Sequence, residues 1–236
     1  MKKTQILIRK LIEKYGGLYS KALGINLKGA RESEVFKWFL ASILFGARIN
    51  EEKAFSTYRE FKRVRVLSPD AIQRAGWDGL VGILDNGGYV RYDFSTATDL
   101  LECVKTLKEK YGGKLSRLCA QAENHEELVA KLLEFRGVGP VTASIFLREL
   151  RGEREWRKAK PMPTQLVFLA ARKLGIKNVK KTLEELPPRE SIALETALVR
   201  VGKLAKRGKL QTSSEKTKKP NFKRKRLESE ALKQSW

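Results

Sequence analysis

The sequence predicts an all-α fold, and three observations carry that expectation. Apolar residues recur three and four positions apart over most of the chain, as in EVFKWFLASILF (34–45) and ATDLLECVKTLKEKY (97–111), which is the spacing of one helix face. Alternation of the kind that marks a half-buried strand is scarce. Helix start and stop signals bracket the periodic runs at short intervals, so about ten helices are expected by residue 205.

The segments follow in order. The opening ILIRKLIEKYGG reads as an amphipathic helix, because Glu13 and recurring lysines interrupt any apolar run; it has neither a signal-peptide pattern nor the roughly 18 apolar residues of a membrane span. Residues 34–45 read as a helix with apolar residues three and four apart. Ser68-Pro69-Asp70 places a cap and a proline before the next one, and Asn124 with Glu127 has capping-box spacing before LVAKLLEF. EKYGGLYSKAL (13–23) and EKYGGKLSRLC (109–119) are near-repeats, read as two helices that end on the same glycine stop with a tyrosine packed inward. LLEFRGVGPVTASIFLREL (132–150) interrupts a helix with Gly137-Val138-Gly139-Pro140 and resumes it at once. Trp38, Trp77 and Trp156 read as packing residues.

A hydrophobic content of 42% over 236 residues supports one sizeable core or two small ones. The formal charge is +22 and the isoelectric point about 10.1, which implies a polyanionic partner, nucleic acid first. From Lys206 the chain turns polar and lysine-rich, as in KRGKLQTSSEKTKKPNFKRKR, and 206–236 is expected to act as a basic, phosphate-binding tail. Cys103 and Cys119 lack ligand spacing, and His125 is the sole histidine, so neither a metal cluster nor Ser-His chemistry is indicated. No Walker-type loop occurs. The expected protein is an intracellular monomer without membrane attachment.

The hairpin carries the functional signal. Glycines at 137 and 139 let the backbone approach another molecule closely, and the amides that open the second helix, at Val141 and Thr142, form an anion site suited to a DNA phosphate. Val138 would plug the turn into the core, with Lys131, Arg136, Arg148 and Arg151 adding positive charge nearby.

LLEFRGVGPVTASIFL resembles the helix-hairpin-helix of the endonuclease III-like DNA glycosylase superfamily, and the resemblance spans roughly residues 31–200. EVFKWFLASILFGARINEEKAFSTYREF is similar to the family's opening helix and loop, and LSPDAIQRAGWDGLVGILDNGGYVRYDFSTATDLLECVKTLKEKYGG to its middle helices. The resemblance implies two helical domains that flank a DNA-binding cleft. One is a central domain (31–135), and the other combines the N-terminal segment (1–30) with the hairpin and following helices (136–205). It also implies groups that enter the duplex at Arg48 and in the turn from Asn86 to Tyr92, which contains Tyr89 and Arg91. A monovalent cation at the hairpin carbonyls is implied too, but no iron–sulfur cluster, whose cysteines are absent.

The resemblance breaks where chemistry is expected. AKPMPTQLVFLAARKLG places Pro163, then Thr164 and Gln165, where the family carries a catalytic aspartate, and Val141 where bifunctional members carry a lysine. No aspartate follows Asp99. Two readings follow: a DNA-binding protein that recognises damaged or distorted duplex without the usual chemistry, or a glycosylase or abasic-site lyase with a relocated acid. For the second, RELRGEREWRKAK offers Glu149, Glu153 and Glu155 as acids and Lys158 and Lys160 as amines. Charge runs of this kind are more often solvated surface than catalytic apparatus.

Overall fold

The computed structural model describes residues 3–208; most of the expected basic tail lies outside the described residues. Within this range the regular structure is helical. Its twelve α-helices are α1 (Lys3–Tyr15), α2 (Tyr19–Ala22), α3 (Glu32–Gly46), α4 (Glu51–Arg63), α5 (Pro69–Asn86), α6 (Asp93–Tyr111), α7 (Leu115–Gln121), α8 (His125–Leu133), α9 (Pro140–Leu150), α10 (Gln165–Leu174), α11 (Val179–Glu185) and α12 (Pro188–Lys206), with a 3-10 turn at Arg154–Trp156. No helix among the described residues is long and apolar enough to cross a membrane.

Local chemistry sets the helix ends. Ser68 Oγ accepts from Ala71 N at 3.2 Å ahead of Pro69, and Asn124 Oδ1 accepts from Glu127 N at 2.9 Å. The Glu127 carboxylate reaches back one residue further than a standard capping box, to Glu123 N. The near-repeat glycines act differently from the expectation. Gly112 and Gly113 end α6 with positive φ, whereas Gly16 serves close packing: a Cβ there would meet Ala193 O at 3.1 Å. α5 also kinks at Gly76, whose φ of 64° and ψ of −178° break the helical path.

Two hydrophobic clusters divide the molecule. The larger joins α2 through α9 and the residues up to Ala159, with Trp38, Phe39, Phe135, Phe146 and Trp156 at its centre. The smaller is built by α1, α10, α11 and α12 around Val167, Leu194 and Leu198. These clusters do not follow the boundaries implied by the resemblance. Tyr19 to Ala30 belong to the larger one, and so does α9, because Ala143, Phe146, Leu147 and Leu150 point into it. The N-terminal segment is therefore shared, with α1 packed on α12.

Charged residues at the C-terminal end of α9 tie the parts together. Arg151 Nη1 lies 2.5 Å and Arg148 Nε 3.4 Å from the Glu195 carboxylate on α12, with all three side chains buried. Arg151 also donates to Ser191 Oγ at 3.0 Å. Between them in sequence, Glu149 accepts from Tyr19 N at 2.9 Å and Ser20 N at 3.0 Å, satisfying amides that open α2.

Candidate nucleic-acid interface

The C-terminal end of α3 meets the start of α9, and two adjoining concavities open there. The larger, a groove of about 940 Å³, runs between α3–α4 on one side and α10–α12 on the other. Arg48, Arg172, Lys203, Lys206 and Arg207 line it, and Glu51 is the one carboxylate among its lining residues. Exposed apolar groups stand among these cations: Phe168 is 52% and Val141 49% accessible. The smaller concavity, about 460 Å³, lies between the hairpin and the first turns of α6. Gly46, Ala47, Arg48 and Val141 line both.

Glycine makes this junction possible. A Cβ on Gly46 would sit 2.0 Å from Thr142 Oγ1, so the α3 terminus can seat against α9 only without a side chain. In the hairpin, Gly137 adopts φ 78°, and a Cβ there would lie 2.9 Å from the Asp99 carboxylate. Gly139 differs: nothing lies within 4 Å of where its Cβ would be. Its backbone faces open space at the N-terminus of an eleven-residue helix, where the first-turn amides have no intrahelical partner. That is the surface a phosphate oxygen can approach.

The residues expected at this face divide by exposure. Arg48, Arg91, Arg136 and Val141 are exposed, and the Arg91 guanidinium lies 5.5 Å from the Tyr92 ring centre. Val138 and Thr142 are buried, so they can present only backbone. Tyr89 corrects the expectation outright: it is 1% accessible and cannot stack on a base, while its neighbour Val90 is 64% accessible and projects from the turn. Burial also pushes the Tyr89 hydroxyl above the usual phenol range. Trp77, expected in the core, is 41% accessible; its ring centre lies 5.3 Å from that of exposed Phe94, and its indole N–H donates to Thr98 Oγ1 at 3.1 Å.

The acids and amines proposed from RELRGEREWRKAK are not in the groove. Glu149 is buried on the α2 amides, and Glu153 accepts from Gly29 N at 2.7 Å. Lys158 donates to the carbonyls of Cys119 and Ala122 at the end of α7. Glu155 lies beside it, in a different cleft. The Lys160 backbone N–H donates to His125 Nδ1 at 3.2 Å, and its side chain borders a third cleft. A helix interior or a backbone cap can hold a carboxylate as well as an active site can, and the sequence run does not distinguish them.

Sequence reasoning missed two carboxylates that the fold delivers to the interface. Asp99, from α6, lies against Gly137 and accepts from Arg136 Nε at 2.8 Å. Glu51, at the start of α4, accepts from Tyr19 O–H at 3.1 Å and pairs with Lys203 of α12 across the groove. Asn50 caps this helix by accepting from Glu52 N. Burial, then the Glu51 charge, drives the Tyr19 hydroxyl far above the usual phenol range, so it remains a donor. Of the two positions the resemblance assigns to chemistry, Val141 lines the groove and Pro163 does not, although Gln165, two residues further on, does; none of these side chains carries charge.

Two cofactor expectations bear on these groups. Among the described residues no cluster of three or more histidine, cysteine or acidic groups is placed to hold a metal, and both cysteines are buried. For a monovalent cation at the hairpin, the nearest carboxylate, Asp99, is paired with Arg136. The carbonyls of Phe135 and Gly139 each accept one hydrogen bond, from Val138 N and Ala143 N. No protein-family model matches this chain, and no curated protein matches it.

Proposed function

We propose that this chain binds duplex DNA along the groove and hairpin, within an endonuclease III-like two-domain arrangement, and prefers duplex that is damaged or distorted. One observation carries the reading: five cations and a single, already paired carboxylate line a groove that adjoins an open helix N-terminus. Four of the five, Arg48, Arg172, Lys206 and Arg207, are exposed and have no carboxylate partner among the described residues, and cations of this kind release counterions when they meet phosphates. The preference for distortion rests on Phe168 and Val141. A regular duplex shows a concave surface its phosphates and base edges, whereas a base out of the stack offers a face that an exposed aromatic ring can cover.

Titration of labelled duplexes, intact and carrying an abasic site or a mismatch, tests this. Affinity falls steeply with salt, and the distorted duplex binds tighter; equal affinity for structured RNA, or indifference to salt, would overturn the reading. A second reading has one supporting observation, the placement of Glu51 as the groove's carboxylate: it makes Glu51, in place of the missing aspartate, the group that stabilises positive charge on a sugar as a base leaves. Base release measured by mass spectrometry, present in the wild type and lost in Glu51→Gln, would favour it. No release from any lesion leaves the chain a binding protein.

A further inference from the structure

A second basic cleft, of about 820 Å³, lies at the other end of α3. Its walls are the loop and first residues of α3, the outer face of α7 and the 3-10 turn. Arg31, Arg117, Arg154 and Arg157 line it, all four are exposed, and none forms an ion pair among the described residues. The nearby acids are largely committed to backbone. Glu32 accepts from Leu115 N at 2.5 Å and Ser116 N at 3.2 Å, opening α7, and Glu153 accepts from Gly29 N. Lys158 closes the other end of α7 through the Cys119 and Ala122 carbonyls. Glu32 and Glu155 are the two carboxylates of the lining, against four arginines and Lys158, so the cleft keeps a net positive charge.

The loop that presents Arg31 is strained. Ala30 has a φ of 43°, a conformation side-chain-bearing residues rarely adopt, next to Gly29 at 76°, and Glu153 anchors it from across the cleft. Strain of this kind persists only where surrounding contacts over-determine it, and it concentrates at binding sites. The result is a frame of three elements holding four arginines that form no ion pair among the described residues, the side chain best matched to phosphate oxygens.

We infer that this cleft binds the phosphates of a second duplex segment, so that one chain bridges two stretches of DNA. This inference rests on the reading that the groove holds the first. α3 separates the two faces: Gly46 borders the groove and Arg31 precedes the other end, and fifteen residues at about 1.5 Å each put them about 22 Å apart. A duplex lying transverse to α3 at one end does not reach the other; one lying along α3 would touch both, and a fall of more than about two-fold in loading of the triple variant on the first duplex would show that and overturn bridging. A small phosphorylated ligand is ordinarily held in an enclosed pocket by convergent donors; four exposed arginines around an open cleft suit a rod of phosphates.

The experiment loads the full chain onto a bead-bound duplex, washes it, and measures capture of a second, fluorescent duplex. The wild type captures it, and Arg117→Ser/Arg154→Ser/Arg157→Ser lowers capture about ten-fold or more while loading on the first duplex stays within about two-fold. Both chains carry residues 209–236, so the tail contributes equally. Equal capture by the triple variant, or a wild type that loads on the first duplex and captures no second, overturns the bridging site alone. Failure to load on the first duplex overturns it together with the groove reading. Because the three side chains are exposed, unchanged thermal unfolding shows the variant is folded.

Discussion

Arginine serves this chain in two opposite ways. Arg148 on α9 and Arg151 at its C-cap are buried and share one carboxylate, Glu195, with Ser191 completing the set. Arg48 and Arg172, at the groove, are exposed and have no carboxylate partner among the described residues. The difference is one of solvent. A buried charge must find its counter-charge inside the fold or it does not stay there, whereas an exposed one is stabilised by water and remains available to an external anion. The first pair holds α9 against α12; the second gives the groove its field.

The sharpest way to break this contrast is Glu195→Ala, which strands two buried guanidinium groups and is expected to cost about 3–5 kcal/mol, read by urea unfolding. A loss under about 1 kcal/mol would mean the arginines find water and are not buried in the sense argued. Gly46→Val forces a side chain into Thr142 at the same junction and should cost about 1–3 kcal/mol, moving both stability and DNA affinity. Gly139→Val is the matching control at the hairpin, since its Cβ meets open space: stability holds while affinity falls. Arg48→Ala and Arg172→Ala sharpen the exposed half. Each leaves unfolding within about 0.5 kcal/mol and lowers the slope of log affinity against log salt by about 1; an unchanged slope would remove that side chain from the phosphate contacts.

The smallest effect is a pH dependence at His125. Burial, ahead of the neighbouring charges, lowers the imidazole from its ordinary 6.5, and its Nδ1 accepts from Lys160 N, which requires the unprotonated nitrogen. The unfolded chain therefore binds the proton more readily than the folded one. Stability is unaffected well above pH 6.5 and declines as pH falls through and below that value. His125→Gln should flatten this part of the pH–stability profile, read as the urea midpoint across the acid range.

Some of these features are readable in the residues alone. Ser68 and Asn124 cap the helices they precede because a cap needs only a short side chain and an amide three residues away. The turn at 137–140 is equally local. The interface is less so. Asp99 lies 37 positions before Arg136 and Glu51 lies 152 before Lys203, and no periodicity links residues so far apart. Tyr89 shows the limit within a single turn: its type suits a stacking role, but the fold turns it inward and leaves Val90 outside. Trp77 shows the reverse, a residue type of the core that the kink at Gly76 precedes and the surface keeps.

The sequence by itself determined that the chain is helical, that it carries +22 formal charges, and that it turns on glycine at 137 and 139. Helical periodicity and turn chemistry act over a few residues, and net charge is a sum that no folding alters. Which arginines are neutralised and which face solvent was decided only in three dimensions. Coulomb attraction and desolvation depend on distance and surroundings, and α3, α9 and α12 bring Glu195 to Arg148 and Arg151 while leaving both ends of α3 without enough acid to balance their cations.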